Sequence, residues 1–394
     1  MSAERYVIEI DHFQVRKHKQ DACGDVFQCL GAEGGRMVSV LADGLGSGIK
    51  ANVLANLTAT MAARYVAADA DITRAARIIM ETLPVCSLRQ IAYSTFTIVD
   101  MDPRGSTRIA EYDNPTSLVF RYGRPLDLPR KRLELQTTSG RPAIIHHCAF
   151  QAEPGDRVVV FSDGVTQSGM GQPAMPLGWE QDAVRTFLEQ TLARDLGVSA
   201  RCLARALVQK ALVLDGMRAK DDITCGVISY RKPRQLLVLT GPPVHRERDR
   251  MVAEMARDFQ GRKVVCGGST ANLVARELGL EMDMNLRELD PDVPPMCSLA
   301  GFDLVTEGAI TLATTARMLE EGVNLDLARP NAATCLASIL LDSDVIQVVA
   351  GTKINEALQD PNLPAELDIR RNILRRIQRV LETKYFKDVR IRFV

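Results

Sequence analysis

Four carboxylate turns carry the chemistry that this sequence could do. Asp25 stands in Cys23-Gly24-Asp25 and Asp43 in Ala42-Asp43-Gly44. Asp163 follows in Ser162-Asp163-Gly164, and Asp221 with Asp222 in Lys220-Asp221-Asp222-Ile223. Three of these turns flank an apolar run that reads as a buried strand: residues 38–42, 158–161 and 225–230. If those strands are neighbours in a sheet, the carboxylates meet at one place. Unit charges about 4 Å apart repel by roughly 1–4 kcal/mol per pair, so such a gathering calls for cations. Oxygen-only ligands suit a hard ion such as Mg²⁺ or Mn²⁺. Two ions bridged by a shared carboxylate can activate water for in-line attack on phosphorus. Taken singly, each turn is an ordinary Asp-Gly turn. The strand context shared by the set is what selects the metal reading.

The elements that must position these groups can be read in chain order. Residues 5–13 alternate as an edge strand does. The Asp43 turn runs on through Gly44, Gly46 and Gly48 into a helix over residues 47–66, with Val53, Leu54, Leu57, Met61 and Tyr65 at helical spacing. A second helix is expected over residues 72–82, then three strands over 93–99, 107–112 and 117–121 that read as a meander. Helical patterns follow over 179–194 and 199–214. The polar, proline-bearing stretch Arg231-Lys232-Pro233-Arg234 marks a boundary, giving domains 1–232 and 233–394.

Beyond it, strands over 235–239, 263–266 and 345–350 alternate with helices over 246–256 and 269–278. That alternation predicts an open, mostly parallel α/β sheet. In the second domain Gly267-Gly268-Ser269-Thr270 joins a strand to a helix, with Ser269 as the expected N-cap. Free backbone N–H groups at such a helix start bind anions, so these four residues are a candidate site for a small anionic effector. The Lys of a Walker loop is absent, which excludes that ATPase chemistry.

Bulk composition narrows the function classes. The 394 residues hold 49 basic and 49 acidic side chains, which argues against bulk binding to nucleic acid or an anionic membrane. No apolar run reaches the roughly 18 residues of a spanning helix. Nine cysteines, none in a Cys-x-x-Cys pair, speak against zinc and disulfide frameworks and for a reducing cytoplasm. Cys29, Cys202 and Cys335 read as small core residues. Cys23 lacks a following Arg-bearing phosphate loop, which argues against a cysteine nucleophile.

In order and spacing, the motifs around Asp25, Asp43, Asp163 and Asp221 resemble those of SpoIIE-like bacterial phosphatases. These belong to the metal-dependent type 2C serine/threonine protein phosphatases, and the resemblance spans about residues 10–230. It implies an N-terminal α-β-β-α sandwich of mainly antiparallel sheets and a centre of two Mn²⁺ or Mg²⁺ ions. By the same resemblance Asp43 bridges the ions, the Gly44 carbonyl binds one, Asp163 and Asp221 hold the other, and Asp25 ligates directly or through water. Asp221 rather than Asp222 is the implied ligand. The implied substrate is a phosphoserine or phosphothreonine on a bacterial signalling protein. The resemblance further implies a homodimer in which the helix over 47–66 forms contacts and acts as a switch, with Ala59, Ala62 and Ala63 admitting a partner helix. Two departures stand out: Tyr112-Asp113-Asn114-Pro115 replaces an Ala-Gly-His-Pro-like turn, and Arg16 is the only candidate for a phosphate-gripping arginine. The competing reading is a sensor that uses the fold as a scaffold.

Overall fold

The computed structural model describes residues 6–69, 71–82, 94–136, 142–284, 294, 296–323, 329–353, 366–385 and 387–394. Arg5 and Tyr93, at the edges of two expected strands, lie outside them. The chain divides into two compact units, Met1–Lys232 and Pro233–Val394.

The first unit opens with β1 (Val7–Val15), β2 (Asp25–Gly31), β3 (Met37–Gly44), α1 (Ile49–Ala67) and α2 (Ile72–Thr82). Strands β4 (Ser94–Met101), β5 (Ser106–Tyr112), β6 (Leu118–Arg121), β7 (Arg124–Pro125), β8 (Lys131–Gln136), β9 (Pro142–Gln151) and β10 (Arg157–Phe161) follow. The unit closes with α3 (Asp163–Thr166), α4 (Gln181–Arg194), α5 (Ala200–Leu214) and β11 (Ile223–Arg231). The strands form two antiparallel sheets, ordered β2-β3-β4-β5-β9-β8 and β1-β11-β10-β6-β7.

Three apolar layers bind this unit. Leu41, Val99, Ile109, Val158, Val160 and Ile228 fill the space between the sheets. Helices α1 and α2 pack on the outer face of the six-stranded sheet through Ala55, Ala59, Ala62, Ala63, Val66 and Ile79. Helices α4 and α5 cover the other sheet through Leu188, Leu192, Leu203 and Leu207. The architecture is an α-β-β-α sandwich. The expected meander does not hold beyond its first pair. Strand β4 pairs with β5, but β6 crosses to the other sheet beside β10, and β9 takes the place next to β5.

Helix α1 sits differently from its expected orientation. Ala51, Ala55, Ala59, Ala62 and Ala63 lie fully buried on their own sheet rather than open to a partner helix. The large apolar side chains point outward instead: Ile49 is 67% exposed, Val53 58%, Leu57 47% and Tyr65 39%. A side without bulk lets a helix approach a sheet closely, so alanine wins the inner face. Cys29 on edge strand β2 and Cys202 on α5 are exposed and Cys335 is half-buried, whereas Cys148, Cys225 and Cys266 are the buried cysteines among the described residues. Strand and helix faces, not apolar neighbours in sequence, decide which thiols enter the core.

The second unit holds β12 (Gln235–Thr240), α6 (Asp249–Asp258), β13 (Arg262–Cys266), α7 (Gly268–Leu278), β14 (Met282–Met284), β15 (Cys297–Leu299) and β16 (Leu304–Thr306). After these come α8 (Ala309–Glu321), α9 (Ala332–Asp342), β17 (Val345–Ala350), α10 (Glu366–Thr383) and β18 (Asp388–Phe393). Its sheet runs β14-β15-β16-β13-β12-β17-β18. The five strands from β16 to β18 are parallel, and β14 and β15 add an antiparallel edge. The overall class is α/β, with antiparallel sheets first and a mostly parallel one second.

The two faces of α1 should respond in opposite ways to substitution. Ala59→Leu overfills a sealed layer and should cost about 1–3 kcal/mol. Leu57→Glu on the outer stripe should change monomer stability by less than about 0.5 kcal/mol. Urea unfolding of both variants checks the assignment.

Candidate metal centre

The site begins with strand register. In the antiparallel pair β2–β3, Asp25 stands directly opposite Asp43. Directly opposed residues have Cβ atoms about 4.5–5.5 Å apart, so this register alone brings two carboxylates together. The other two come from the second sheet. Strand β10 ends at Phe161 and delivers Asp163 at the first turn of α3, while Asp221 and Asp222 immediately precede β11, the neighbour of β10.

The junction is packed too tightly for side chains at two glycines. A Cβ on Gly44 would fall 2.1 Å from the Ala51 carbonyl oxygen, and one on Gly164 would fall 2.0 Å from the Asp222 carbonyl oxygen. Glycine at these positions lets α1 and the β11 approach close on the carboxylate turns.

The acids divide by role. The Asp222 carboxylate is buried and accepts backbone N–H groups from Lys17 at 2.8 Å and from Gly24 at 2.9 Å. It therefore clamps the loop that leads to Asp25. Gly44 N–H in turn donates to the Gly24 carbonyl at 3.2 Å, linking that loop to the Asp43 turn. Asp221 is partly open, with Lys17 Nζ 3.4 Å from its Oδ1. Asp163 accepts from Gln167 Nε2 at 2.8 Å.

Electrostatics report how close the cluster is. Burial, followed by the charges of Asp25, Asp163, Asp221 and Asp222, pushes Asp43 up to about 9. Burial also lifts Asp25 to about 8, with the Asp222 and Asp163 charges adding to the rise and the Ser162 and Thr224 hydroxyls moderating it. Asp163 is raised by burial and by the Asp221 charge. Such shifts mark carboxylates held together without enough positive charge. Burial, Asp25 and Asp222 also hold the Cys23 thiol protonated, which removes the condition a cysteine nucleophile needs.

The donor set fits hard divalent cations. Every donor is an oxygen, and Asp25 Oδ2 is buried with no hydrogen-bond partner among the described residues. Among the described residues no group of three or more acidic, His or Cys side chains is placed to hold a metal ion as it stands. Asp43 lies within hydrogen-bond reach of Asp163, and the charges of Asp25, Asp221 and Asp222 act on it from nearby.

Sequence reading did not single out several supporting residues. Ser162 and Thr224 face Asp25. Asn52, in the first turns of α1, donates to the Cys23 carbonyl at 2.7 Å. Asn114, in the turn that departs from the family pattern, accepts from Thr95 and donates to Thr97 at 3.2 Å. Thr95 is the cross-strand partner of Asp43. A polar residue in an otherwise apolar strand was the available signal for Thr95 and Thr97. Arg16 donates to the Asp21 carbonyl at 3.2 Å and lines a cleft of about 500 Å³ with Lys17, His18, Lys19, Met217 and Arg218. Gly267, Gly268, Ser269 and Thr270 belong to the second unit. There Gly267, not Ser269, occupies the N-cap of α7, and Ser269 is an exposed residue of its first turn.

Comparison with known proteins adds the following. The phosphatase domain of the cell fate determinant SpoIIE from Bacillus subtilis aligns at 15% identity and a TM-score of 0.44, covering 58% of this chain and 94% of that one. The S. agalactiae serine/threonine phosphatase aligns at 17% identity and a TM-score of 0.40, covering 57% and 99%. RsbX in complex with magnesium aligns at 17% identity and a TM-score of 0.40, covering 57% and 95%. No curated protein matches the sequence. Among the described residues no helix is long and apolar enough to cross a membrane. The family model of stage II sporulation protein E (SpoIIE) matches residues 33–231, a stretch that contains Asp43, Gly44, Asp163 and Asp221 and begins after Asp25. That stretch is just over half of the 394 residues, and the chain belongs to the SpoIIE family.

Proposed function

We propose that the first unit is a protein serine/threonine phosphatase that hydrolyses phosphoserine or phosphothreonine on a signalling protein of a bacterial cytoplasm. The observation that carries this reading is the convergence of Asp25, Asp43, Asp163 and Asp221 with an orphaned buried carboxylate oxygen on Asp25. Asp43, repelled by all the others, is the natural shared ligand of two Mn²⁺ or Mg²⁺ ions. The Gly44 carbonyl, Asp163, Asp221 and Asp25 complete the donors. When bound, such a pair supplies Lewis-acid polarisation of a phosphate ester and a nucleophile from water at neutral pH.

The chain's own groups hold and screen this chemistry. Asp222 spends both carboxylate oxygens on backbone donors, so it positions the Asp25 loop and leaves Asp221 as the ligand. Lys17 places one positive charge beside Asp221. The cleft with Arg16, Lys17, His18 and Lys19 adjoins it and suits the anionic flank of a phosphorylated segment. Hydrolysis breaks the phosphorus–oxygen bond to the side chain, and the serine or threonine hydroxyl leaves with a proton.

The outer stripe of α1 supports a homodimer. Ile49, Val53, Leu57, Met61 and Tyr65 recur every fourth residue, and all but Met61 are exposed. A second copy of the helix would cover this stripe. Because α1 begins just after Asp43 and Gly44 and its Asn52 holds the Cys23 carbonyl, docking there acts directly on the metal centre.

Three outcomes are expected. With p-nitrophenyl phosphate and added Mn²⁺ or Mg²⁺, Asp43→Asn should abolish turnover; retention of half the activity at saturating metal would sink the two-ion reading, and a wild-type protein that takes up no divalent ion would favour the scaffold reading. The two adjacent acids should separate cleanly. Asp221→Asn should lose metal and activity with an unchanged melting temperature, whereas Asp222→Asn should cost about 1–3 kcal/mol of stability by weakening two buried N–H contacts. Reversed effects would make Asp222 the ligand. Finally, Leu57→Glu should convert a dimer into a folded monomer by light scattering, with altered turnover; an unchanged dimer with full activity rejects the role of α1.

A further inference from the structure

The second unit gathers its unexplained chemistry at one edge of its sheet. Strands β16, β13, β12 and β17 end in register, at Thr306, Cys266, Thr240 and Ala350. In chain order the parallel strands are arranged third, second, first, fourth, fifth. Helices α6 and α7 cover one face, and α8, α9 and α10 cover the other. This is a doubly wound sheet, in which ligands bind beyond the carboxyl ends of the strands.

Two helices start side by side at that edge. Gly267 caps α7 with a φ of 131°, and Gly308 caps α8. A Cβ on Gly308 would lie 3.5 Å from the Gly267 Cα, so the two turns touch. Neither helix has a side-chain cap hydrogen bond. The first N–H groups of both are available to an anion, and both dipoles favour one.

A second observation points to a ligand. Thr270 is 1% exposed, and its Oγ1 lies 3.4 Å from the position a Cβ would take on Gly267. It therefore looks into the mouth of the α7 turn. Among the described residues Thr270 Oγ1 has no hydrogen-bond partner, and the same holds for Thr240 Oγ1 at the end of β12 and Thr311 Oγ1 in the first turn of α8. An unpaired buried hydroxyl loses its hydrogen bonds to water without replacement, so three near one edge are an unfavourable arrangement for a purely structural turn.

Glu307 sets the class of ligand. Its Oε1 stands 3.1 Å from where a Cβ would sit on Gly268, which places a carboxylate at the same mouth. A bare anion meets repulsion there. A molecule with an anionic group for the helix starts and hydroxyl donors for Glu307 satisfies both. We propose that the second unit binds a phosphorylated sugar or nucleoside monophosphate at the turns Gly267–Thr270 and Glu307–Gly308, with Thr270 contacting the anionic group.

The test uses calorimetry and thermal melting of the full chain carrying Asp43→Asn, which removes hydrolysis of the probes by the first unit. The probes are ribose 5-phosphate, AMP and inorganic phosphate. One of the two organic phosphates should bind, and Thr270→Val should weaken it by about tenfold or more while leaving the ligand-free melting temperature equal or higher, because an unpaired hydroxyl is removed. Glu307→Gln should weaken the organic phosphate and strengthen inorganic phosphate. Absence of any heat or melting shift with all three probes at millimolar concentration overturns the proposal. Binding that is unchanged in Thr270→Val and Glu307→Gln overturns it as well, because the ligand then sits elsewhere.

Discussion

The first unit depends on a repulsion that its own fold enforces. Asp25 and Asp43 face each other across a strand pair, and the β10 and β11 turns bring Asp163 and Asp221 to them. Within the cluster a hydrogen bond between Asp163 and Asp43 and the Lys17 charge beside Asp221 offset part of the repulsion among the described residues. The holding is done at a distance, by the apolar layer between the sheets and by Asp222, whose buried carboxylate fixes two backbone N–H groups of the neighbouring loop. A one-residue slip of β2 against β3 would turn Asp25 to the opposite face and end the arrangement. Burial first and the neighbouring carboxylates second raise the proton affinities of Asp25, Asp43 and Asp163, a cost that cations or protons relieve.

Much of this was legible before the structure because the signals are local. An apolar run that stops at Asp-Gly announces a buried strand with a carboxylate at its end, and Asp43 and Asp163 both carry it. Alternation of strand and helix after Pro233 likewise reads directly as a parallel sheet. What could not be read is which neighbour each element chooses. Periodicity shows that α1 has sides but ranks Leu57 above Ala59 for burial, whereas close helix–sheet contact selects the alanines. The crossing of β6 to the second sheet is set by pairing across the sandwich, not by its own residues. The structural role of Asp222, as against its neighbour Asp221, depends on hydrogen bonds from Lys17 and Gly24, about 200 positions away in sequence. The supporting hydroxyls and amides, such as Ser162 and Asn114, resemble any other turn polar group until their partners are known.

The two units treat buried polar atoms in a related way. Among the described residues each leaves buried oxygens unpaired: Asp25 Oδ2 and Ser229 Oγ in the first, and the hydroxyls of Thr240, Thr270 and Thr311 in the second. Other polar groups that enter the interior are matched. Asp156, for example, takes the Arg121 guanidinium and the Glu153 N–H, and Glu111 takes Arg130 and the Ser117 N–H.

The pairing of β1 with β11 joins residues 7–15 to residues 223–231. Contacts so far apart are closed late, because the entropy of a long loop must be met before any of them forms. During synthesis, a ribosome that has passed Asp163 has made three of the four acids but none of the strand that flanks the fourth. Until β11 emerges, β1 has no sheet to join and the Asp25 loop has no Asp222 to hold it. Assembly of the acidic cluster is thus tied to completion of the whole first unit, so a chain abandoned partway through translation would expose the acidic turns without bringing them together.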